Sequence, residues 1–112
     1  MAVDGIYAAR AQIARALAHP VRLRIVDVLT DEGEKTVSDL TELLEVGQSS
    51  VSKHLRVMYD AGILNFEKRG LNVTYSVRVL CIADLFRCLD GILMDDLQRR
   101  QRQLKEGGAN HG

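Results

Sequence analysis

Gln48, Ser49, Ser52, Lys53 and Arg56 bring an amide, two hydroxyls and two cations into one short stretch of chain. Amides and hydroxyls read the edges of base pairs, and cations hold phosphates. Read at helical spacing, these residues share the side of a helix opposite Val51, Leu55 and Met58. A helix that is apolar on one side and rich in donors at its start suits a DNA major groove, and its N-terminus itself favours an anion. A solvated amphipathic face is the plain alternative.

The only other reactive side chains with suggestive spacing are Cys81 and Cys88. Seven residues apart on a helix they face one way, about 10 Å apart along the axis at ~1.5 Å per residue. That is too far for a disulfide within the helix, which needs Cα atoms within about 7 Å. Two readings stay open: inert thiols buried in an apolar stripe, or a sensing pair that meets its counterpart across a dimer. No phosphate-binding glycine loop, HExxH or CxxC is present, so an enzyme is not expected and neither a metal nor a cofactor is assigned.

The donor-rich stretch needs a partner helix to hold it. Val37, Leu40, Leu43 and Leu44 recur at spacings of three and four, with Ser38 and Asp39 where a helix start is capped. Gly47 breaks the chain, the second helix follows, and Gly62 ends it. Residues 36–64 therefore read as a helix-turn-helix. Before it, Ile6, Ala9, Ile13, Ala14 and Leu17 predict a first helix, and Pro20 opens a second to about Thr30 that buries Leu23, Ile25, Val26 and Leu29. Residues 31–34 form a loop, and 35–37 a very short strand.

After Gly62 the period changes to two. Val73, Tyr75, Val77 and Val79 alternate with Asn72, Thr74, Ser76 and Arg78, and Gly70-Leu71-Asn72 turns the chain. This predicts a two-stranded hairpin with Lys68 and Arg69 near its tip, the wing of a winged helix. A last helix from about Cys81 to Leu104 carries two apolar stripes, one through Cys81, Leu85, Cys88 and Ile92, the other through Ile82, Phe86, Leu89, Leu93 and Leu97. That band is wider than one small core needs, so part of it is expected to meet a second subunit, with Ile13, Leu89 and Leu93 as interface candidates.

At 112 residues, 46% hydrophobic and 27% charged, the chain is one domain's worth of globular protein. The expected division is a winged helix-turn-helix domain with its dimerisation helices over 1–106 and a flexible tail over 107–112. The formal net charge is zero, yet the charge is unevenly placed. Residues 1–47 hold five basic and eight acidic side chains, residues 48–78 five and two, and residues 79–112 five of each. The positive excess lies on the donor-rich helix and the segment after it, where phosphate contact requires it. No apolar run approaches a membrane span, and the start lacks the pattern of a secretory signal, so the cytoplasm is the expected location and the cysteines are thiols.

The run LAHPVRLRIVDVL at 17–29, SVSKHL at 50–55, AGIL and an alternating wing, in this order, resemble the ArsR/SmtB family of winged-helix repressors over residues 10–95. The resemblance implies an α+β, mostly helical fold, a homodimer formed through the first and last helices, and binding to palindromic operators in double-stranded DNA that an effector can relieve. The implied DNA contacts are Gln48, Ser49, Ser50, Ser52, Lys53, His54 and Arg56 on the helix and Lys68 and Arg69 on the wing. The sensing residues of the family do not carry over. Thr36, Val37 and Ser38 stand where arsenic and cadmium sensors have a CxC, and Val79, Cys81, Ile92 and Asp95 stand where zinc sensors place ligands. A hydroxyl does not replace a thiolate for a soft ion. His19 reads as a cap and His54 as a DNA or packing contact. The remaining alternatives are a winged helix that serves protein–protein assembly without DNA, and a repressor with no metal or thiol sensing.

Overall fold

The computed structural model describes residues 3–111, with side chains for 4–106. Elements follow as α1 (Val3–Leu17), α2 (Pro20–Glu32), β1 (Lys35–Thr36), α3 (Val37–Leu44), α4 (Gln48–Asp60), β2 (Leu64–Arg69), β3 (Asn72–Val77) and α5 (Ile82–His111). The chain divides into two units, residues 1–80 and 81–112.

In the first unit the apolar sides of the helices close over one core. Ile25, Val26 and Leu29 of α2, Leu40 and Leu44 of α3, and Val51, Leu55 and Met58 of α4 are buried, together with Ile63 and Leu64 at the start of the wing. Each such side chain contributes about 1.5–3 kcal/mol by leaving water. From α1 the core takes Ala16 and Leu17, while Ile6 and Ile13 of the predicted stripe stay exposed. Leu23 is half-buried and Leu43 exposed, so two positions of the helical stripes lie at the edge of the core.

The turn between α3 and α4 runs through Glu45 in the left-handed region, φ 55, before Gly47 starts α4. The start of α3 corrects the expected cap. Thr36 is the N-cap: its hydroxyl accepts from the Asp39 backbone N–H at 3.0 Å, and the Asp39 carboxylate accepts from the Thr36 N–H at 3.0 Å. This is a capping box, and Ser38 lies inside the helix rather than at its cap. Thr36 can serve because it ends a strand, which leaves its backbone extended.

The wing is a sheet of three strands, not two, in the order β1-β3-β2. Lys35 pairs with Tyr75 and Thr36 with Thr74, while β2 pairs with β3 from Leu64↔Val77 to Arg69↔Asn72. The hairpin closes through Gly70 and Leu71, and Gly70 at φ 63 supplies the positive φ that the first position of such a loop demands. β3 stops at Val77, and Val79 is exposed.

The second unit is the helix α5. It starts at Ile82, one residue after Cys81, whose carbonyl accepts from the Asp84 N–H at 3.0 Å. It runs beyond the expected end at Leu104 to His111. The tail expected at 107–112 lies outside the residues whose side chains are described. Leu85, Ile92, Leu93, Met94, Leu97 and Leu104 are exposed on it.

Candidate nucleic-acid interface

The hydrophobic side of α4 faces the core, which turns Gln48, Ser49, Ser52, Lys53 and Arg56 outward, all exposed. At about 100° per residue, Ser49, Ser52, Lys53 and Arg56 span one side of the helix opposite Val51 and Leu55, with Gln48 at its edge. Gly47 makes no side-chain cap bond, so the first N–H groups of α4 are left to solvent or to an anion. The structure leaves all five exposed, with Ser49, Ser52, Lys53 and Arg56 on one side.

Two members of the candidate set lie elsewhere. Ser50 and His54 fall on the flank of α4 and are half-buried. His54 is turned toward α2, where its Nδ1 accepts from Arg22 Nε–H at 3.1 Å, and its ring centroid lies 4.5 Å from that of His19. It is a packing contact here and not part of the outward face. Burial first, then the positive fields of His19, Arg22 and Lys53, hold its imidazole below the ordinary range. His19 is the expected cap, its Nδ1 accepting from the Val21 N–H at 3.1 Å.

The wing is seated against the end of α4 by aromatic rings. Tyr59 meets Phe66 edge-on at 5.0 Å, and Phe66 lies 6.3 Å from Tyr75. At the tip the two cations differ. Arg69 is held by both oxygens of Glu67 at 3.0 Å and lies 3.8 Å from Glu34, whose other oxygen accepts from Thr74 at 3.3 Å. The Arg69 guanidinium in turn holds the Glu67 carboxyl below its usual range. Lys68 forms no ion pair among the described residues, nor does Lys53, whereas Arg56 pairs with Asp60 at 3.2 Å. Formal charge therefore overstates the positive field at Arg56 and Arg69.

Both thiols are exposed on the single subunit, against the plain reading of two buried cysteines. Arg87, the one basic neighbour in sequence, is ion-paired with Asp84. Sequence reasoning missed Arg22, because its partner His54 is 32 residues away and no local pattern announces it. It also missed the carboxylates that hold Arg69, although the Glu67-Lys68-Arg69 run placed one of them in plain view.

Comparison with known proteins gives one family. The description "bacterial regulatory protein, arsR family" matches residues 19–65. An arsenical resistance operon repressor of Bacillus subtilis is 43% identical over 56 residues, 50% of this chain and 53% of that protein. The transcriptional repressor PagR of Bacillus anthracis is 30% identical over 82 residues, 73% of this chain and 82% of PagR. The chain spans about half the length of the first curated relatives it matches. Among solved structures, Rv0081 of Mycobacterium tuberculosis superposes with TM-score 0.75 at 28% identity, over 85% of this chain and 95% of that one. The homodimeric winged helix-turn-helix DNA-binding domain Mb0332 of Mycobacterium bovis shares the fold, with TM-score 0.74 at 22% identity over 86% and 88% of the two chains.

Proposed function

This chain belongs to the arsR family of bacterial regulatory proteins, and we propose that it is a dimeric repressor that reads a palindromic operator with α4 and steadies the complex with its wing. The observation that carries this reading is the outward side of α4, where Gln48, Ser49, Ser52, Lys53 and Arg56 stand exposed beside an N-terminus with no side-chain cap. Gln48, Ser49 and Ser52 are the proposed base contacts, and Lys53, Arg56, Lys68 and Arg69 the proposed phosphate contacts. Dimerisation through α1 and α5, with Ile13, Leu89 and Leu93 at the interface, supplies two reading helices for two half-sites. That Mb0332 is homodimeric and that PagR is a repressor supports the same assignment. The place of action is the cytoplasm.

The test is binding of the purified protein to the DNA upstream of its own coding sequence, followed by fluorescence anisotropy against a scrambled duplex. Gln48→Ala is expected to cost about 1–3 kcal/mol on the operator and to relax sequence preference. Equal binding of the scrambled duplex, or a Gln48→Ala protein with undiminished affinity and preference, rejects α4 as the reading helix. Absence of any DNA binding leaves the winged helix as a protein-assembly module.

The effector is proposed to act at Cys81 and Cys88, whose exposure permits it. With last helices paired antiparallel across the two-fold axis, Cys81 of one subunit approaches Cys88 of the other. Peroxide then takes two electrons and two protons from the thiols, leaving a disulfide and two waters, or trivalent arsenic binds both thiolates with a third donor. Arsenite or peroxide is expected to release DNA from the unmodified protein and not from Cys81→Ser or Cys88→Ser. Retention of DNA in all three makes this a repressor without metal or thiol sensing.

A further inference from the structure

One guanidinium joins three helices near the middle of α4. Arg22, in the first turn of α2, donates from Nε to His54 of α4 at 3.1 Å and from Nη1 to the Ala16 carbonyl, in the last turn of α1, at 3.4 Å. His19, at the link between α1 and α2, stacks obliquely on His54 at 4.5 Å and 49° while its own Nδ1 caps α2. Toward the C-terminal end of α4 lies an open cleft of about 540 Å³, lined by Gln12 and Ile13 of α1, by Val57 of α4 and by Ala61 just after it. Arg22 and Ala16 also line that cleft.

Both imidazoles are used as acceptors at Nδ1. A protonated imidazole carries N–H at both nitrogens and can accept at neither. A proton on His19 therefore removes the cap of α2, and a proton on His54 breaks the bond from Arg22 and sets a cation against the guanidinium. The groups that face His54 are His19 from the α1–α2 link, Arg22 from α2 and Lys53 from α4 itself. From α1 the cluster receives only the Ala16 carbonyl, which accepts from Arg22. None of these is a carboxylate that would shelter a second positive charge.

We infer that His54, with Arg22 and His19, is a positioning residue that fixes the pose of α4 for DNA recognition, so that operator binding requires the His54 imidazole neutral and weakens in acid. This rests on α4 as the reading helix. The sign follows from the geometry and agrees with the lowered position of His54. An imidazole in the unfolded chain takes its proton near pH 6.5. The cluster's stabilisation is full above that value and is lost as pH falls through it, until the folded group is protonated as well. A His54 that instead touched phosphate would give the opposite slope, tighter binding as it became charged.

Operator affinity of the full chain, measured by anisotropy at fixed ionic strength, is expected to fall about tenfold or more between about pH 7.5 and 5.5, the range in which histidine changes charge. In the double variant His19→Asn/His54→Asn, each Oδ1 offers an acceptor and neither takes a proton, so near-native affinity at the upper pH and a flat profile are expected. His54→Ala should bind weakly at both pH values. Arg22→Gln should weaken binding without changing its salt dependence, since no phosphate contact is lost. Tighter binding in acid, a double variant that keeps the native profile, or a shallower salt slope in Arg22→Gln overturns the inference. Amide hydrogen exchange without DNA separates its failure from that of the DNA reading. With the intrinsic slowing of amide exchange in acid divided out, acidification should lower the protection of α4 in the native protein and not in the double variant, and equal protection in both overturns the coupling whether or not any DNA is bound.

Discussion

Among single side chains, the wing shows why a count of charges is a poor guide to a phosphate contact. Lys68 and Arg69 are adjacent in sequence, but β-strand alternation sends them to opposite faces of the sheet. Arg69 falls on the face with Glu67 and within reach of Glu34, and is held there by carboxylates. Lys68 has no ion-pair partner among the described residues and is the readier cation. Lys68→Ala should therefore flatten the dependence of log affinity on log salt by about 0.9, one contact's worth. Glu67→Gln should do the reverse, since it releases Arg69 to the backbone: steeper salt dependence and tighter binding to scrambled DNA. Titrations between about 50 and 200 mM salt measure both. Equal slopes in Lys68→Ala and the native protein would remove the wing tip from the interface.

The helix-turn-helix depends on elements whose limits came largely from local rules. Proline at the first position of α2, glycine before α4 and glycine in the hairpin loop are backbone signals, and the structure starts Pro20–Glu32, Gln48–Asp60 and Asn72–Val77 where they point, while α2 runs past the expected Thr30 and β3 stops short of Val79. The outward side of α4 was equally readable, because its period follows from burial of Val51, Leu55 and Met58. What escaped was set by distant pairing. The short strand at 35–37 was readable but not its pairing with β3, some 38 residues on at Thr36↔Thr74, which leaves Thr36 extended and makes it, not Ser38, the cap of α3. His54 lies on the flank of α4 by its own period, but its partner Arg22 on another helix was not readable, for the same reason. The capping box gives a prediction at this level. Thr36→Ala should cost about 1 kcal/mol in urea unfolding, the usual worth of such a cap. The Asp39 carboxyl is held below its ordinary range first by the Thr36 backbone N–H. Its stabilisation is full above the unfolded value of about 3.9 and is lost as pH falls through the lowered folded value. Asp39→Asn should remove this acid-sensitive part, so the variant and the native protein should differ less at about pH 3 than at pH 7. A constant difference across that range would mean the box is not formed in solution.

For the molecule as a whole, α5 raises the question of what covers it. On a single subunit it leaves Ile92, Leu93, Met94 and Leu97 exposed in succession, and α1 leaves Ile6, Tyr7 and Ile13 exposed. Large apolar side chains left exposed along a helix mark a candidate interaction site. A second copy of the chain is the proposed occupant, because it would also supply the second reading helix that a palindromic operator calls for. Leu93 is 61% exposed, so replacing it should leave the subunit's own core intact. Leu93→Glu sets a carboxylate into an apolar interface, where an unpaired charge is far costlier than in water. The variant is expected to sediment at the mass of one chain, with its helical circular dichroism retained. Its operator affinity should fall by about 10²–10⁴, the usual gain from linking two binding modules, while affinity for an isolated half-site changes little. Leu104→Glu, farther along α5 and 77% exposed, is the comparison that separates a defined interface from a general effect of charge on the helix. If Leu93→Glu sediments as the native protein does, the contact between subunits lies elsewhere, and the exposed side of α5 serves another partner.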